Sequence, residues 1–199
     1  MTNGLTPSDP LGDLAGRIRD GEERAFRELF DALYDPLLRF AHTLVRDAST
    51  AEDLVQEAFV RTWDRRDTFV PGQPIRAYLY RTVRNLSLNH LRDHQTRQRL
   101  LDDVTLDGSG AVPQTILAPD DHLAERELSA ELARLIDTLP PRQREALTLS
   151  RMQGLSHDEV AAVMGCAPRT VNNHLVAALS FLRRQLSGAL VASLAWMLT

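Results

Sequence analysis

The 199-residue sequence contains no lysine; all 23 of its Lys plus Arg side chains are arginine. Codon bias accounts for that as readily as chemistry does, although the guanidinium fork suits paired contacts to phosphates and base edges. Cys166 is the sole cysteine, which excludes an intramolecular disulfide and any zinc site built from several cysteines, and fits a reducing cytosol. Aromatic residues make up 6% of the chain, so the 43% apolar content points to small packed cores rather than one large one. No segment in the first half keeps strand-period alternation for long. The N-terminus lacks a basic start followed by an apolar core, so no signal peptide is expected. The apolar tail, residues 188–198, has about half the length of a membrane-spanning helix, and no membrane insertion is expected. No phosphate-cradling glycine loop or nucleophile motif is present. His90 and His94 have the i, i+4 spacing of a metal pair, but no cysteine or acid cluster completes a site. No metal, cofactor or small-molecule substrate is therefore expected, and the chain does not read as an enzyme.

What the sequence does contain is charge, unevenly placed. A net charge of -4 argues against a polyanionic partner only if it is averaged. Acids outnumber arginines 12 to 6 over residues 1–60 and 9 to 2 over 100–140, but are outnumbered 3 to 9 over 61–99 and 3 to 6 over 141–199. Two basic islands thus lie in an acidic chain.

The first island centres on residues 75–99, IRAYLYRTVRNLSLNHLRDHQTRQR. At 3.6 residues per turn Ile75, Leu79, Val83 and Leu86 share one face, while Tyr78, Arg81, Asn85, Asn89 and Arg92 form a second stripe. Six arginines and one acid, Asp93, lie between Pro74 and Arg99, with Tyr78 and Tyr80 interleaved. Such a face pairs phosphate-neutralising charge with stackable rings; taken alone, it fits a solvated cationic face equally well.

Ahead of it, residues 1–10 read as disordered. A short helix over Leu11, Leu14, Ala15 and Ile18 stops at Asp20-Gly21, and helical segments carrying Phe26, Leu29, Phe30, Leu33, Leu37 and Leu38 meet at a boundary near Pro36. Ser49 and Glu52 have capping-box spacing at the start of a further helix. Ala51, Leu54, Val55, Ala58, Phe59, Thr62 and Trp63 form its apolar stripe, leaving Asp53, Gln56, Glu57, Val60, Arg61 and Asp64 outward. Pro71, Gly72 and Pro74 make a stiff loop before the basic helix. Residues 100–121 lose periodicity and hold five aspartates and no arginine, the composition of a flexible acidic linker.

Beyond the linker, Leu128, Leu132, Leu135 and Leu139 give a helix ended by Pro140-Pro141, and 142–153 another closed by Gly154. Ser156 and Glu159 form a capping box, Gly165 a turn, and Pro168 opens a last helix. Short helix, glycine turn, longer helix is the form of a helix-turn-helix. With Val171, Leu175, Ala178 and Leu182 inward, Arg169, Asn172, Asn173 and Val176 point outward, flanked by Thr170 and Ala177. This set can pair with guanine and adenine edges, and arginines 142, 144, 151, 183 and 184 are available to phosphates. The fold class is all-α: two small helical domains, 11–99 and 122–186, joined by the linker, with an apolar C-terminal tail at 187–199.

AEDLVQEAFVRTW (51–63), FVPGQPIRAYLYRTVRNLSLNHLR (69–92) and LPPRQREALTLSRMQGLSHDEVAAVMGCAPRTVNNHLVAALSFLRRQL (139–186) together resemble an extracytoplasmic-function (ECF) sigma factor of the sigma-70 family. The resemblance implies a cytoplasmic promoter-recognition subunit. Asp53, Gln56 and Glu57 would dock on core RNA polymerase. Tyr78, Arg81, Asn85, Asn89 and Arg92 would open and hold the -10 element of promoter DNA, with residues 69–76 capturing an extruded base. Arg169, Thr170, Asn172, Asn173 and Val176 would read the -35 element as duplex. It also implies an anti-sigma factor as a regulating partner, and a linker that threads the polymerase cleft, its acidity either mimicking nucleic acid or keeping a spacer off DNA. Tyr78 stands where the family usually has tryptophan, Ala177 where arginine is common and Ala167 where serine or threonine often caps, so an unusual -35 preference is expected. The tail lies outside the resemblance and either packs on the second domain or docks a regulator. The rival reading is a helix-turn-helix activator or response-regulator output protein, but residues 11–99 do not resemble a sensor domain.

Overall fold

In the computed structural model, Leu11, residues 13–102 and residues 123–185 are described, with the side chains of 99–102 and 123–130 left aside. The expectations for residues 1–10, for residues 103–121 of the linker, for the tail at 187–199 and for the Leu128 side chain lie outside the described residues, whereas residues 100–102, expected to begin the linker, continue the helix that starts at Ile75. The chain forms two compact units, Met1–Pro113 and Gln114–Thr199, and every regular element among the described residues is helical.

The first unit is built from α1 (Leu14–Arg19), α2 (Glu23–Val45), α3 (Ala48–Asp64), a 3-10 turn (Arg66–Thr68) and α4 (Ile75–Asp102). Gly21, at φ +82°, turns the chain from α1 into α2. The Arg17 guanidinium donates to Glu22 at 2.8 Å and Glu28 at 3.0 Å across that corner. Those carboxylates hold its pKa above the usual arginine range.

The boundary expected near Pro36 does not form: α2 runs unbroken through it. The ring removes one backbone bond and costs about 3 kcal/mol in a helix interior. Leu29 and Leu33 before it and Leu37 and Phe40 after it are all buried, at roughly 1.5–3 kcal/mol each, so packing outweighs the break. Ala32, whose carbonyl loses its partner, is exposed and can turn to water.

The cap of α3 also differs. Asp47, not Ser49, is the N-cap: its backbone is extended and its carboxylate accepts the Thr50 N–H at 2.7 Å. Ser49 already lies inside the first helical turn, where it cannot cap. Hydrogen bonding from Thr50, its hydroxyl first and its N–H second, holds the Asp47 carboxyl below the usual carboxylate range.

α2, α3 and α4 pack around Leu29, Leu37, Phe40, Val55, Ile75, Leu79 and Val83. Because α4 is packed by both α2 and α3, its buried face is wider than one stripe. Tyr80, expected among the stackable rings, is fully buried with its ring 5.4 Å from that of Phe40, and burial pushes its hydroxyl up to about 12. Arg84, counted with the outward arginines, is buried as well.

The second unit comprises α5 (Leu123–Thr138), α6 (Pro141–Leu147), which widens into a π-helical segment (Thr148–Met152), α7 (His157–Met164) and α8 (Pro168–Gln185). Arg144, counted with the arginines available to phosphates, is engaged within the unit. Its guanidinium donates to the carbonyls of Ile136 and Leu139, each at 3.2 Å, and to that of Asp137. It thereby adds a donor to acceptors at the end of α5, where the helix's own amides run out. The capping box of α7 forms in both directions, Ser156 N–H to the Glu159 carboxylate at 2.8 Å and Glu159 N–H to the Ser156 hydroxyl at 3.3 Å. Gly165, at φ +65°, turns α7 into α8.

Candidate nucleic-acid and partner interfaces

On α3 the buried residues Ala51, Leu54, Val55, Ala58, Phe59 and Thr62 put Asp53, Gln56 and Glu57 on the exposed side. Glu57 pairs with Arg61 at 2.5 Å, one turn on. Acids at this spacing on a solvated face are worth little to stability, so nothing in the fold requires them.

Next to these residues lies a feature that periodicity alone did not isolate. Phe26, Phe30, Gln56, Phe59, Val60 and Trp63 line an open, largely apolar groove of about 410 Å³. Its rings are in contact: the Phe26 and Trp63 centroids are 5.0 Å apart, those of Phe30 and Phe59 4.8 Å, and those of Phe30 and Tyr34 4.8 Å. Val60 is 59% exposed and Phe30 36%. The Arg66 guanidinium covers the Trp63 ring at 4.6 Å. Half of the signal lay in the sequence, where Phe26, Phe30 and Tyr34 follow one another at i, i+4 and i+8, a stripe apart from Leu29, Leu33 and Leu37; the other half, Phe59, Val60 and Trp63, comes from α3.

On α4 the outward stripe is as spaced. Arg81, Asn85, Asn89 and Arg92 are exposed and Tyr78 is half-buried, and Arg92 reaches Asn89 at 3.5 Å. Tyr78 meets Phe69, which is buried and so turned away from any ligand of the loop. The loop is ordered by its own bonds. Val70, Pro71, Gly72 and Gln73 make a tight turn, with proline at the second position and glycine at φ +77° at the third, as in a type II turn. The Gln73 N–H donates to the Val70 carbonyl at 3.0 Å, and the Gln73 side-chain oxygen accepts the Val70 N–H at 3.2 Å. His90 and His94 are stacked with ring centroids 6.4 Å apart. Among the described residues no group of three His, Cys, Asp or Glu side chains is placed to hold a metal, and no helix is long and apolar enough to cross a membrane.

α8 buries Val171, Leu175, Ala178 and Leu182. Arg169, Asn172, Asn173 and Val176 are exposed, and Thr170 and Ala177 half-buried beside them. The outward set offers a guanidinium, two carboxamides and an apolar side chain on successive turns, the groups that meet guanine, adenine and a thymine methyl in a major groove. Of the arginines named for phosphate contact, Arg142, Arg151, Arg183 and Arg184 are exposed, and Arg142 also donates to Glu145 at 3.4 Å and to the Met164 carbonyl at 3.5 Å.

Residues 29–97 match Sigma-70 region 2, and residues 129–182 match Sigma-70, region 4. The chain is 35% identical over 154 residues to the ECF RNA polymerase sigma factor EcfG of Rhodopseudomonas palustris, covering 74% of this chain and 81% of that protein. It is 34% identical over 154 residues to the ECF RNA polymerase sigma factor BldN of Streptomyces coelicolor, covering 77% of this chain and 57% of that longer relative. Among solved structures it is similar to the sigma factor RpoE of Bartonella quintana, captured with the anti-sigma factor NepR, at a TM-score of 0.63 and 26% identity over 80% of this chain and 94% of that one. With a region 2 unit and a region 4 unit in order, each presenting an outward polar face that its own packing does not use, the chain belongs to the ECF sigma factors of the sigma-70 family.

Proposed function

We propose that this sigma factor docks on core RNA polymerase through Asp53, Gln56 and Glu57 together with the aromatic groove beside them, and that it acts in the cytoplasm as a non-catalytic initiation subunit. The observation that carries the docking surface is the juxtaposition on α3 of exposed acids and an apolar groove. Aromatic side chains around a pocket with charge at the rim are the composition of a binding hot spot. α4 then holds the opened -10 strand: Tyr78 stacks on a base, Asn85 and Asn89 meet base edges, and Arg81 and Arg92 meet phosphates. Base extrusion costs a few kcal/mol of unstacking, which these contacts offset. α8 reads the -35 element as duplex through Arg169, Thr170, Asn172, Asn173 and Val176. An anti-sigma protein is the regulating partner, a reading supported by the likeness to a sigma factor solved with NepR.

The test is reconstitution. The chain and core polymerase should form a holoenzyme that starts transcription at discrete sites. A Gln56→Ala, Phe30→Ala double variant should bind core at least about tenfold more weakly. A chain that fails to bind core where another sigma factor succeeds would overturn the reading.

A further inference from the structure

Tyr78 differs from the other outward residues of α4. Arg81, Asn85, Asn89 and Arg92 are exposed, whereas the Tyr78 ring is half-buried and meets Phe69 edge to face, with centroids 5.2 Å apart at 74°. Phe69 is only 3% exposed and has no surface to offer a nucleic acid.

Phe69 is held from both sides. On one side its N–H donates to the Arg66 carbonyl at 3.0 Å, closing the 3-10 turn. On the other, extended backbone leads into the doubly bonded Val70–Gln73 turn. Pro71 of that turn lies along Gly16 of α1: a β-carbon placed on Gly16 would stand 3.6 Å from the proline ring. The Phe69 ring therefore has little freedom, and the Tyr78 ring packed on it has correspondingly less.

A ring already held in one rotamer loses less entropy when a base stacks on it than a ring that must be ordered by binding. A phenol also has less stacking area than an indole, so its orientation matters more to what it can contribute.

We propose that Phe69 is a positioning residue for the -10 strand: it presets the Tyr78 ring as a stacking platform for an unpaired base without touching DNA. This rests on the -10 role given to α4 above. Phe69 acts through Tyr78 alone, and its contribution disappears when the Tyr78 ring is absent.

The experiment is a double-mutant cycle in the holoenzyme, with full-length wild type, Phe69→Leu, Tyr78→Ala and the double variant on a promoter recovered by in vitro selection with wild-type holoenzyme. Closed-complex affinity and opening rate are measured separately, with permanganate reactivity of -10 thymines reporting opening. Phe69→Leu should slow opening about five- to tenfold, the lower range of one lost base–aromatic stack, and leave core and closed-complex affinity unchanged. In the Tyr78→Ala background it should add less than about twofold. Phe69→Met, which keeps apolar volume but not the ring, repeats the cycle where Leu lowers the melting temperature of the free chain. Unchanged opening, an equal loss with and without the Tyr78 ring, or a loss that tracks the fraction unfolded would each overturn the proposal while leaving the sigma-factor reading intact. A wild-type chain that forms no active holoenzyme would overturn both.

Discussion

α4 and α8 each present asparagines and arginine to solvent, yet the two faces are built differently. On α4, Asn85 and Asn89 are one turn apart on a single stripe, with Tyr78 and its braced loop at one end. That is a track running along the helix, suited to bases met one after another in a single strand. On α8, Asn172 and Asn173 are adjacent and fan across the helix, with Val176 beside them and no aromatic ring in the outward set. That arrangement spreads hydrogen-bonding groups and a methyl surface across the width of a groove. On the proposed reading the same residue types serve opposite states of DNA, and spacing and support make the difference.

The largest effects should separate the two faces. Replacing both Asn172 and Asn173 with Ala should weaken closed-complex formation at least about thirtyfold, since each good base-edge contact is worth about 1–3 kcal/mol. It should also flatten the sequence preference at the -35 positions they meet. Asn85→Ala should slow opening about tenfold and leave closed-complex affinity within about twofold, as one lost hydrogen-bonding side chain would. Footprinting combined with stopped-flow opening kinetics measures both. If Asn85→Ala weakened the closed complex as much as the α8 variant does, the distinction between strand track and groove reader would fail.

How much of this was legible beforehand depended on what each residue's neighbours were. The inward set of α8, Val171, Leu175, Ala178 and Leu182, follows from periodicity because what α8 buries is a single stripe at helical spacing. α4 packs on two sides, so periodicity found Ile75, Leu79, Val83 and Leu86 but left Tyr80 and Arg84 outside, where polarity put them. Pro36 read as a boundary because a local penalty is visible in sequence and the tertiary burial that outweighs it is not. Arg144 read as a phosphate contact for a similar reason: the three carbonyls it binds come from the preceding helix and the corner after it. The aromatic groove needed two helices to be placed side by side. Of the candidate sites, the outward geometry of α3, α4 and α8 could be read in advance; the braced loop beneath Tyr78 could be read only as stiff.

Alkali should distinguish the two units next. All three tyrosines, Tyr34, Tyr78 and Tyr80, lie in the first unit. With no lysine in the chain, no ammonium titrates near pH 10, and arginine remains charged well beyond it. Burial raises the Tyr80 hydroxyl to about 12, so the folded state keeps a proton that the unfolded chain gives up at about 10. Stability is therefore full below about pH 10 and falls as pH rises towards 12, by roughly 2–3 kcal/mol for a shift of this size. Denaturant unfolding followed by circular dichroism across that range should show the loss, and Tyr80→Phe should remove most of it. A loss of the same size in Tyr80→Phe would place its origin elsewhere.

The smallest effect concerns the arginines of the second unit, and it separates those that hold the fold from those that face outward. Arg183 is exposed on the last turn of α8, whereas the Arg144 side chain is 16% exposed and committed to carbonyls. If Arg183 neutralises a phosphate, Arg183→Gln should lower the slope of log affinity against log salt by about 0.9 and leave the melting temperature alone. Arg144→Gln should leave the slope unchanged and lower the melting temperature by a few degrees, because part-buried carbonyls at the end of α5 lose a donor, at about 1 kcal/mol. Salt titration of promoter binding alongside thermal unfolding reads both. The reverse pattern would mean that the guanidinium of Arg144 leaves the α5 terminus to meet DNA, and that the end of α5 holds without it.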